Sequence, residues 1–265
     1  MAPRVSPPEC LLHPESGHDG AVSDRLVQRY RAARRDRELA LLEGFHALKH
    51  ALRFGAEVIE AVAENPDELD RLAEELAPDL VGSLAERTRA VDAELLAQLV
   101  PHAPRTGVVA IARRPSVEVA ALLVAKRPAP IVLLEDPRTM GNMGACVRVA
   151  AAADAAGVLS TGSNDPWHPE ALRGAAGLHF ALPVAQVESV PGGGRPLVAI
   201  DPGGDVLEKG ELDPRAILAF GTERYGLSDA LLERADARLA IPMREGVSSL
   251  NLATSVAAVL FSQRL

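Results

Sequence analysis

The chain has few aromatic residues and almost no cysteine. Phe, Trp and Tyr make up 3% of its 265 residues although 48% are apolar, so a core must consist mainly of Ala, Val and Leu. Its two cysteines, Cys10 and Cys146, provide neither a disulfide framework nor a zinc site. We expect two free thiols, Cys10 in a tail and Cys146 inside a helix.

Long apolar runs are also missing. None approaches the roughly 18–20 residues that span a bilayer, and the N-terminus lacks the apolar stretch of a signal peptide. We therefore expect a soluble cytoplasmic protein. The signatures G-x-G-x-x-G, G-x-x-x-x-G-K-[ST] and G-x-S-x-G are absent as well, which disfavours dinucleotide binding by the usual turn, a P-loop NTPase and a serine hydrolase.

Positive charge is scarce overall but locally concentrated. The net charge of −8 disfavours nonspecific nucleic-acid binding, yet six arginines lie between Asp24 and Glu38. Residues 57–94, by contrast, hold twelve acidic residues and three arginines. The arginine run is either the solvated face of an amphipathic helix or a phosphate-binding patch, because a guanidinium group matches phosphate in a bidentate manner. On the second reading the RNA-binding candidates are Arg31, Arg34 and Arg35.

The pattern of apolar segments predicts two α/β domains. Residues 1–22 have no periodicity and are predicted to be a disordered tail. Residues 23–112 alternate short strands and helices and predict a small α/β/α domain. Residues 113–128 form a linker and connecting helix, and 129–265 predict a largely parallel sheet with helical connections. His46 and His50 share a helix at a spacing that can bind metal, but with no third ligand evident we expect no metal site.

Loops at the ends of predicted strands hold the candidate site. The apolar runs Ile217–Phe220 and Leu239–Ile241 each end in a residue that breaks a strand, and residues 248–251 precede an apolar helix that they are suited to cap. After the strand Ile131–Leu134, Asn142 is suited to cap the helix predicted over 142–156, and Arg148 follows on that helix. Ligands of α/β sheets bind at these carboxyl ends of the strands.

Four segments together resemble a known family. In order they are NMGACVR at 142–148, GTERYGL at 221–227, IPM at 241–243 and SSLNLA at 248–253. This combination resembles the SpoU (TrmH-like) branch of the SPOUT methyltransferases, which are RNA ribose 2′-O-methyltransferases that use S-adenosylmethionine. In this family an RNA-binding domain with a small ribosomal-protein fold often precedes the methyltransferase domain. Two N-terminal segments are similar to that domain, RRDRELALLEGFHALKHAL and GVVAIARRP. Met143, Val149 and Leu252 depart from the residues usual beside the motifs, which leaves the polar positions intact.

The resemblance implies a Rossmann-like sheet with a deep trefoil knot and a homodimer whose active site is completed across the interface. It implies catalytic roles for Asn142, Arg148, Glu223, Ser249 and Asn251. The expected contacts to S-adenosylmethionine, largely through backbone, are Phe220, Gly221, Ile241, Pro242, Met243 and Leu250.

The resemblance leaves parts of the mechanism and the substrate open. Arg148 is expected to stabilise the developing alkoxide and to hold an adjacent phosphate, and Glu223 to order the loops. Whether Arg148 or Glu223 takes the proton stays open. The added N-terminal domain favours ribosomal (23S) RNA by family analogy. The alternatives are a tRNA substrate, methylation of a base, and a noncatalytic protein that binds RNA or the ribosome.

Overall fold

A computed structural model describes residues 17–190, 192–222 and 225–262. The α-helices are α1 (Gly17–Ala33), α2 (Phe45–Arg53), α3 (Pro66–Leu76), α4 (Val81–Arg87), α5 (Ala93–Leu99), α6 (Val119–Val124), α7 (Met140–Ala152), α8 (Pro169–Gly174), α9 (Asp229–Arg234) and α10 (Leu252–Ser262). The strands are β1 (Leu39–Glu43), β2 (Val58–Ala63), β3 (Thr88–Ala90), β4 (Val108–Arg113), β5 (Ile131–Leu134), β6 (Gly157–Ser160), β7 (Val184–Gln186), β8 (Leu197–Val206), β9 (Ile217–Phe220) and β10 (Ala237–Ala240). Short 3-10 helices follow α3 (Pro78–Leu80) and α8 (Leu178–Phe180). No described helix combines the length and apolarity that a membrane span requires.

The N-terminal domain is a four-stranded mixed sheet between two layers of helices. The strand order is β1-β4-β2-β3, with β4 antiparallel to both neighbours and β2 parallel to β3. Side chains alternate between the two faces of a strand, so Leu41 packs with α1 and α5 while Ala40 and Leu42 pack with α2 and α3. Both faces of the sheet are therefore covered by helices.

Helix α1 begins at Gly17, inside the segment that the sequence pattern predicts to be a disordered tail. Leu26 and Val27 are buried, and the Tyr30 hydroxyl donates a hydrogen bond to the Val109 carbonyl oxygen at 3.2 Å. These contacts hold the helix on the sheet. Residues 17–22 form the N-terminal part of the same helix. The tail prediction is thus wrong for residues 17–22, whereas residues 1–16, with Cys10, lie outside the described residues.

The C-terminal domain has a six-stranded sheet in the order β10-β8-β9-β5-β6-β7, and every pairing in it is parallel. Helices α7, α8 and α10 cover one face, while α6 and α9 cover the other. The central strands β5 and β9 read as continuous apolar runs because both of their faces are buried. The α/β class predicted from the sequence is confirmed, and Cys146 is buried within α7 as expected.

The two domains are joined by a packed interface. Gly177, after α8, has φ +75, and a Cβ built on it would lie 2.5 Å from the carbonyl oxygen of Ala47 in α2. His50 of α2 places Nδ1 2.7 Å from the Ala176 carbonyl oxygen. The Glu43 side chain is only 2% exposed and pairs with Arg34 at 3.1 Å and with Arg173 of α8 at 2.5 Å. The N-terminal domain is therefore seated directly on α8.

Candidate functional site

A cavity of about 450 Å³ opens at the carboxyl ends of β8, β9 and β10. Its walls come from these strand ends and from the segment before α10. The lining residues are Ile200, Asp201, Pro202, Phe220, Gly221, Thr222, Gly226, Ile241, Met243, Ser248, Ser249, Leu250, Leu252 and Ser255. All the residues predicted to contact S-adenosylmethionine except Pro242 are among them, and so is Ser249.

The loop after β9 approaches Gly221 so closely that no side chain fits there. A Cβ on Gly221 would lie 2.0 Å from the Gly226 carbonyl carbon. Thr222 and Gly226 exchange backbone hydrogen bonds of 3.1 and 3.0 Å, which fold the loop back on the strand end. Backbone groups rather than side chains therefore form this wall of the cavity. Glu223 belongs to this loop but lies outside the described residues.

Asn142 does not cap α7, contrary to the sequence prediction. The helix starts at Met140 after Thr139, which makes no side-chain cap bond, so Asn142 lies within the first turn. The Asn142 Oδ1 instead accepts a hydrogen bond of 3.1 Å from Asn251 Nδ2. Asn251 caps α10, because its own Oδ1 accepts from the Ala253 and Thr254 amides at 3.0 and 3.4 Å. One hydrogen bond thus links the first and the last of the four motifs.

Arg148 is exposed on the outer side of α7. Met143, Cys146 and Val147 on the inner side are completely buried, and the helical period turns Arg148 away from them. Among the described residues no carboxylate forms an ion pair with Arg148. Its guanidinium group can therefore bind a phosphate or stabilise a developing oxyanion.

Helix α2 of the N-terminal domain places His46 close enough to Arg148 to feel its charge. Burial and the charges of Lys49 and Arg148 hold the pKa of His46 below its usual value. Burial, followed by the charge of Arg53, also lowers the pKa of Lys49. The Lys49 ammonium lies 5.9 Å from the centroid of the Phe45 ring. Sequence reasoning weighed His46 as a metal ligand or as an ordinary surface or core histidine, and favoured the second. It missed the proximity of His46 to Arg148 because the two residues lie about 100 positions apart in the sequence.

The predicted arginine patch divides into two kinds of residue. Arg34 is 31% exposed and held by the buried Glu43, so it acts in the domain interface. Arg31 and Arg35 are exposed. Arg29, which lies on α1, pairs with Glu60 at 3.2 Å. Only some of these arginines are therefore available to a partner.

The cavity fits the cofactor that the resemblance implies. Its volume lies in the range of small-molecule sites, about 300–1,000 Å³. Phe220, Ile241 and Leu250 supply apolar surface for an adenine ring, and serine hydroxyls supply polar contacts. The glycine at 221 allows close approach to the backbone. Within the described ranges no group of three or more His, Cys, Asp or Glu side chains is placed to hold a metal ion.

Comparisons with known proteins agree with this geometry. Residues 129–261 match the SpoU rRNA methylase family. The chain is similar to the 23S rRNA (adenosine(1067)-2′-O)-methyltransferase of Streptomyces azureus, with 28% identity over 256 residues that cover 91% of each protein. It is 32% identical over 245 residues to an uncharacterised tRNA/rRNA methyltransferase of Synechocystis, covering 84% of this chain and 83% of that one. The crystal structure of the SpoU methyltransferase AviRb from Streptomyces viridochromogenes, in complex with the cofactor AdoMet, is similar with a TM-score of 0.71 at 26% identity, covering 89% of this chain and 95% of that one.

Proposed function

The chain belongs to the SpoU rRNA methylase family, and from this premise we propose that it methylates a ribose 2′-hydroxyl of 23S rRNA with S-adenosylmethionine. The observation that carries the proposal is the hydrogen bond from Asn251 to Asn142, because it joins the helix that exposes Arg148 to the segment between the cavity residues Leu250 and Leu252. The names of two relatives support 23S rRNA as the substrate, because these relatives are named as 2′-O-methyltransferases of adenosine 1067 and of uridine 2479 in 23S rRNA.

The chemistry requires alignment and relief of negative charge. S-adenosylmethionine, when bound, supplies a methyl group on a positively charged sulfur, whereas a ribose hydroxyl is a weak nucleophile. Arg148 stabilises the oxyanion that develops on the ribose and holds a neighbouring phosphate. Asn142 and Asn251 fix the loop before α10 against α7, and Ser249 contributes a hydroxyl to the cavity wall.

We also propose that Glu223 orders the loop after β9 or takes the proton from the ribose. The resemblance of GTERYGL to the second motif supports this role. The two functions differ in the pH dependence of turnover, because only a base must be ionised for the chemical step.

Methyl transfer to RNA tests the function directly. The protein is incubated with S-adenosylmethionine labelled in its methyl group and with 23S rRNA that lacks modifications. We expect label in the RNA and one position that resists alkaline cleavage, since cleavage needs a free 2′-hydroxyl. Label in a base, or in tRNA alone, would contradict the proposed substrate, and binding of RNA without transfer would favour the noncatalytic alternative.

We propose that the exposed Arg31 and Arg35 contact RNA phosphates. Arg31→Ala combined with Arg35→Ala should weaken RNA binding and reduce the slope of log K against log[salt], by about 0.7–0.9 for each phosphate that the protein no longer neutralises. Filter binding at several salt concentrations measures the slope. The matched control replaces Arg71 and Arg87, which are exposed on α3 and α4 and bond to local Asp67 and Ser83. Equal slopes for the two double variants would show that Arg31 and Arg35 do not contact RNA phosphates.

We infer in addition that the chain forms a homodimer and that its C-terminal segment is knotted. The family resemblance supports both inferences. Exposed apolar side chains in the C-terminal domain support the dimer, among them Tyr225 at 74% and Phe261 on α10 at 37% exposure. Burial of such side chains in a second copy is favourable.

A further inference from the structure

Strand β8 contains a bulge on the edge of the cavity. Strand β10 pairs Arg238 with Ala199 but pairs the next residue, Leu239, with Asp205, so residues 200–204 bulge away from β10 while Ile200 stays paired with Phe220 of β9. A Cβ on Gly204 would lie 2.4 Å from the Arg238 carbonyl oxygen, and one on Gly203 only 2.3 Å from the Arg238 Nη2. Gly204 is therefore required for the Arg238 backbone to lie against the bulge, whereas a side chain at position 203 would displace only the flexible end of Arg238. Bulges of this kind commonly redirect a side chain near an active site.

The side chain that this bulge redirects is Asp201. Its Oδ1 accepts hydrogen bonds from the Gly203 amide at 2.8 Å and from Arg238, whose Nε lies 2.8 Å away. Its Oδ2 accepts none from the described residues, although the side chain is only 14% exposed. Asp201 lines the cavity, and Oδ2 would lie 3.8 Å from a Cβ on Gly226, another lining residue. One oxygen is thus fixed by the protein and the other is available to a bound molecule.

We propose that Asp201 Oδ2 accepts a hydrogen bond from the ribose hydroxyls of bound S-adenosylmethionine, and that Arg238 is its positioning residue. This inference rests on the proposed function, which supplies the cofactor. A fixed carboxylate is the group that reads ribose hydroxyls in other α/β nucleotide sites. The charge of Asp201 is already compensated by Arg238, so a neutral hydroxyl suits the remaining oxygen better than the ammonium of the methionine moiety.

Binding of two ligands by calorimetry tests the inference. The ligands are S-adenosylhomocysteine and its 2′,3′-dideoxy analogue. We expect the wild-type protein to bind the hydroxylated ligand roughly tenfold to a hundredfold more tightly, the effect of hydrogen bonds to a charged group. Asp201→Ala should bind S-adenosylhomocysteine more weakly by a similar factor and should no longer distinguish the two. Asp205→Ala, an exposed aspartate of the same strand outside the cavity, is the matched control and should retain the preference.

The outcomes separate this inference from the proposed function. If the wild-type protein binds neither ligand, the cofactor assignment fails. If the wild-type protein binds both ligands with equal affinity, the proposed role of Asp201 is wrong and the cofactor assignment is unaffected. This outcome does not depend on whether the Asp201→Ala variant folds. A third ligand, 5′-methylthioadenosine, has the ribose hydroxyls but no amino acid moiety. If Asp201→Ala weakens S-adenosylhomocysteine but leaves 5′-methylthioadenosine unchanged, the carboxylate holds the ammonium and the inference is wrong.

Discussion

Replacement of Arg148 by alanine should reduce methyl transfer by roughly a hundredfold to a thousandfold, the effect of removing one group that stabilises a developing oxyanion. The loss should occur in kcat, because the negative charge on the ribose oxygen grows only as the transition state is approached. Cofactor affinity should remain at the wild-type level, since Arg148 does not line the cavity. Single-turnover transfer of labelled methyl groups and calorimetry with S-adenosylhomocysteine measure the two quantities.

Two further variants define what Arg148 supplies. Arg148→Lys keeps the charge but loses the planar pair of donors, so it should restore only part of the activity. Arg138→Ala is the matched control, because Arg138 is an exposed arginine in the loop just before α7 and pairs locally with Asp136 at 2.5 Å. Near wild-type turnover of Arg148→Ala would remove Arg148 from the mechanism. Equal losses in Arg138→Ala and Arg148→Ala would point to a general effect of charge on RNA binding.

Simultaneous loss of Arg34 and Arg173 should lower the free energy of unfolding by about 3 kcal/mol. Both arginines pair with the carboxylate of Glu43, whose side chain is 2% exposed, and their removal leaves that charge buried without a partner. The arginines themselves reach the surface, at 31% and 50% exposure, so water can relieve part of the cost. Urea denaturation of the double variant Arg34→Ala with Arg173→Ala measures the change.

A third substitution tests the cause. Adding Glu43→Gln to the double variant removes the stranded charge and should recover part of the lost stability. If the double variant is as stable as the wild-type protein, or if the added Gln gives no recovery, the buried carboxylate does not depend on these partners. The single variant Arg34→Ala should also lose some stability, which would identify Arg34 as a structural residue rather than an RNA contact.

Much of the fold follows from local patterns in the sequence. The sequence pattern predicts a strand over Val58–Ala63 and a helix over Pro66–Leu76, and β2 and α3 of the structure have the same bounds. In α3, Asn65 accepts a hydrogen bond from the Glu68 amide and Pro66 opens the helix, signals that are local in sequence. The start of α7 was predicted at Asn142 because an asparagine favours a cap, but Met140 and Gly141 are already helical. The position at which a helix or strand begins or ends depends on tertiary contacts as well as on residue type.

The candidate site was predictable where it depends on motif order and not where it depends on contacts between distant segments. The family resemblance of the motif segments implies Phe220, Gly221, Ile241 and Leu250 as cofactor contacts, and these residues line the cavity. The link between Asn142 and Asn251 joins segments 109 residues apart, and no periodicity indicates it. The carboxylate of Asp201 becomes part of the cavity only through the bulge in β8, which depends on how Arg238 packs.

The contact between Gly177 and Ala47 has a consequence for target choice. It packs α2 closely against the chain just after α8, and the His50 and Glu43 bonds hold the same interface, so we expect the two domains to keep one relative position. Any RNA element held by the N-terminal domain therefore lies at a constant separation from Arg148. Selection of one ribose then depends on the three-dimensional shape of the RNA, because only a nucleotide that the folded RNA presents at that separation reaches the methyl donor.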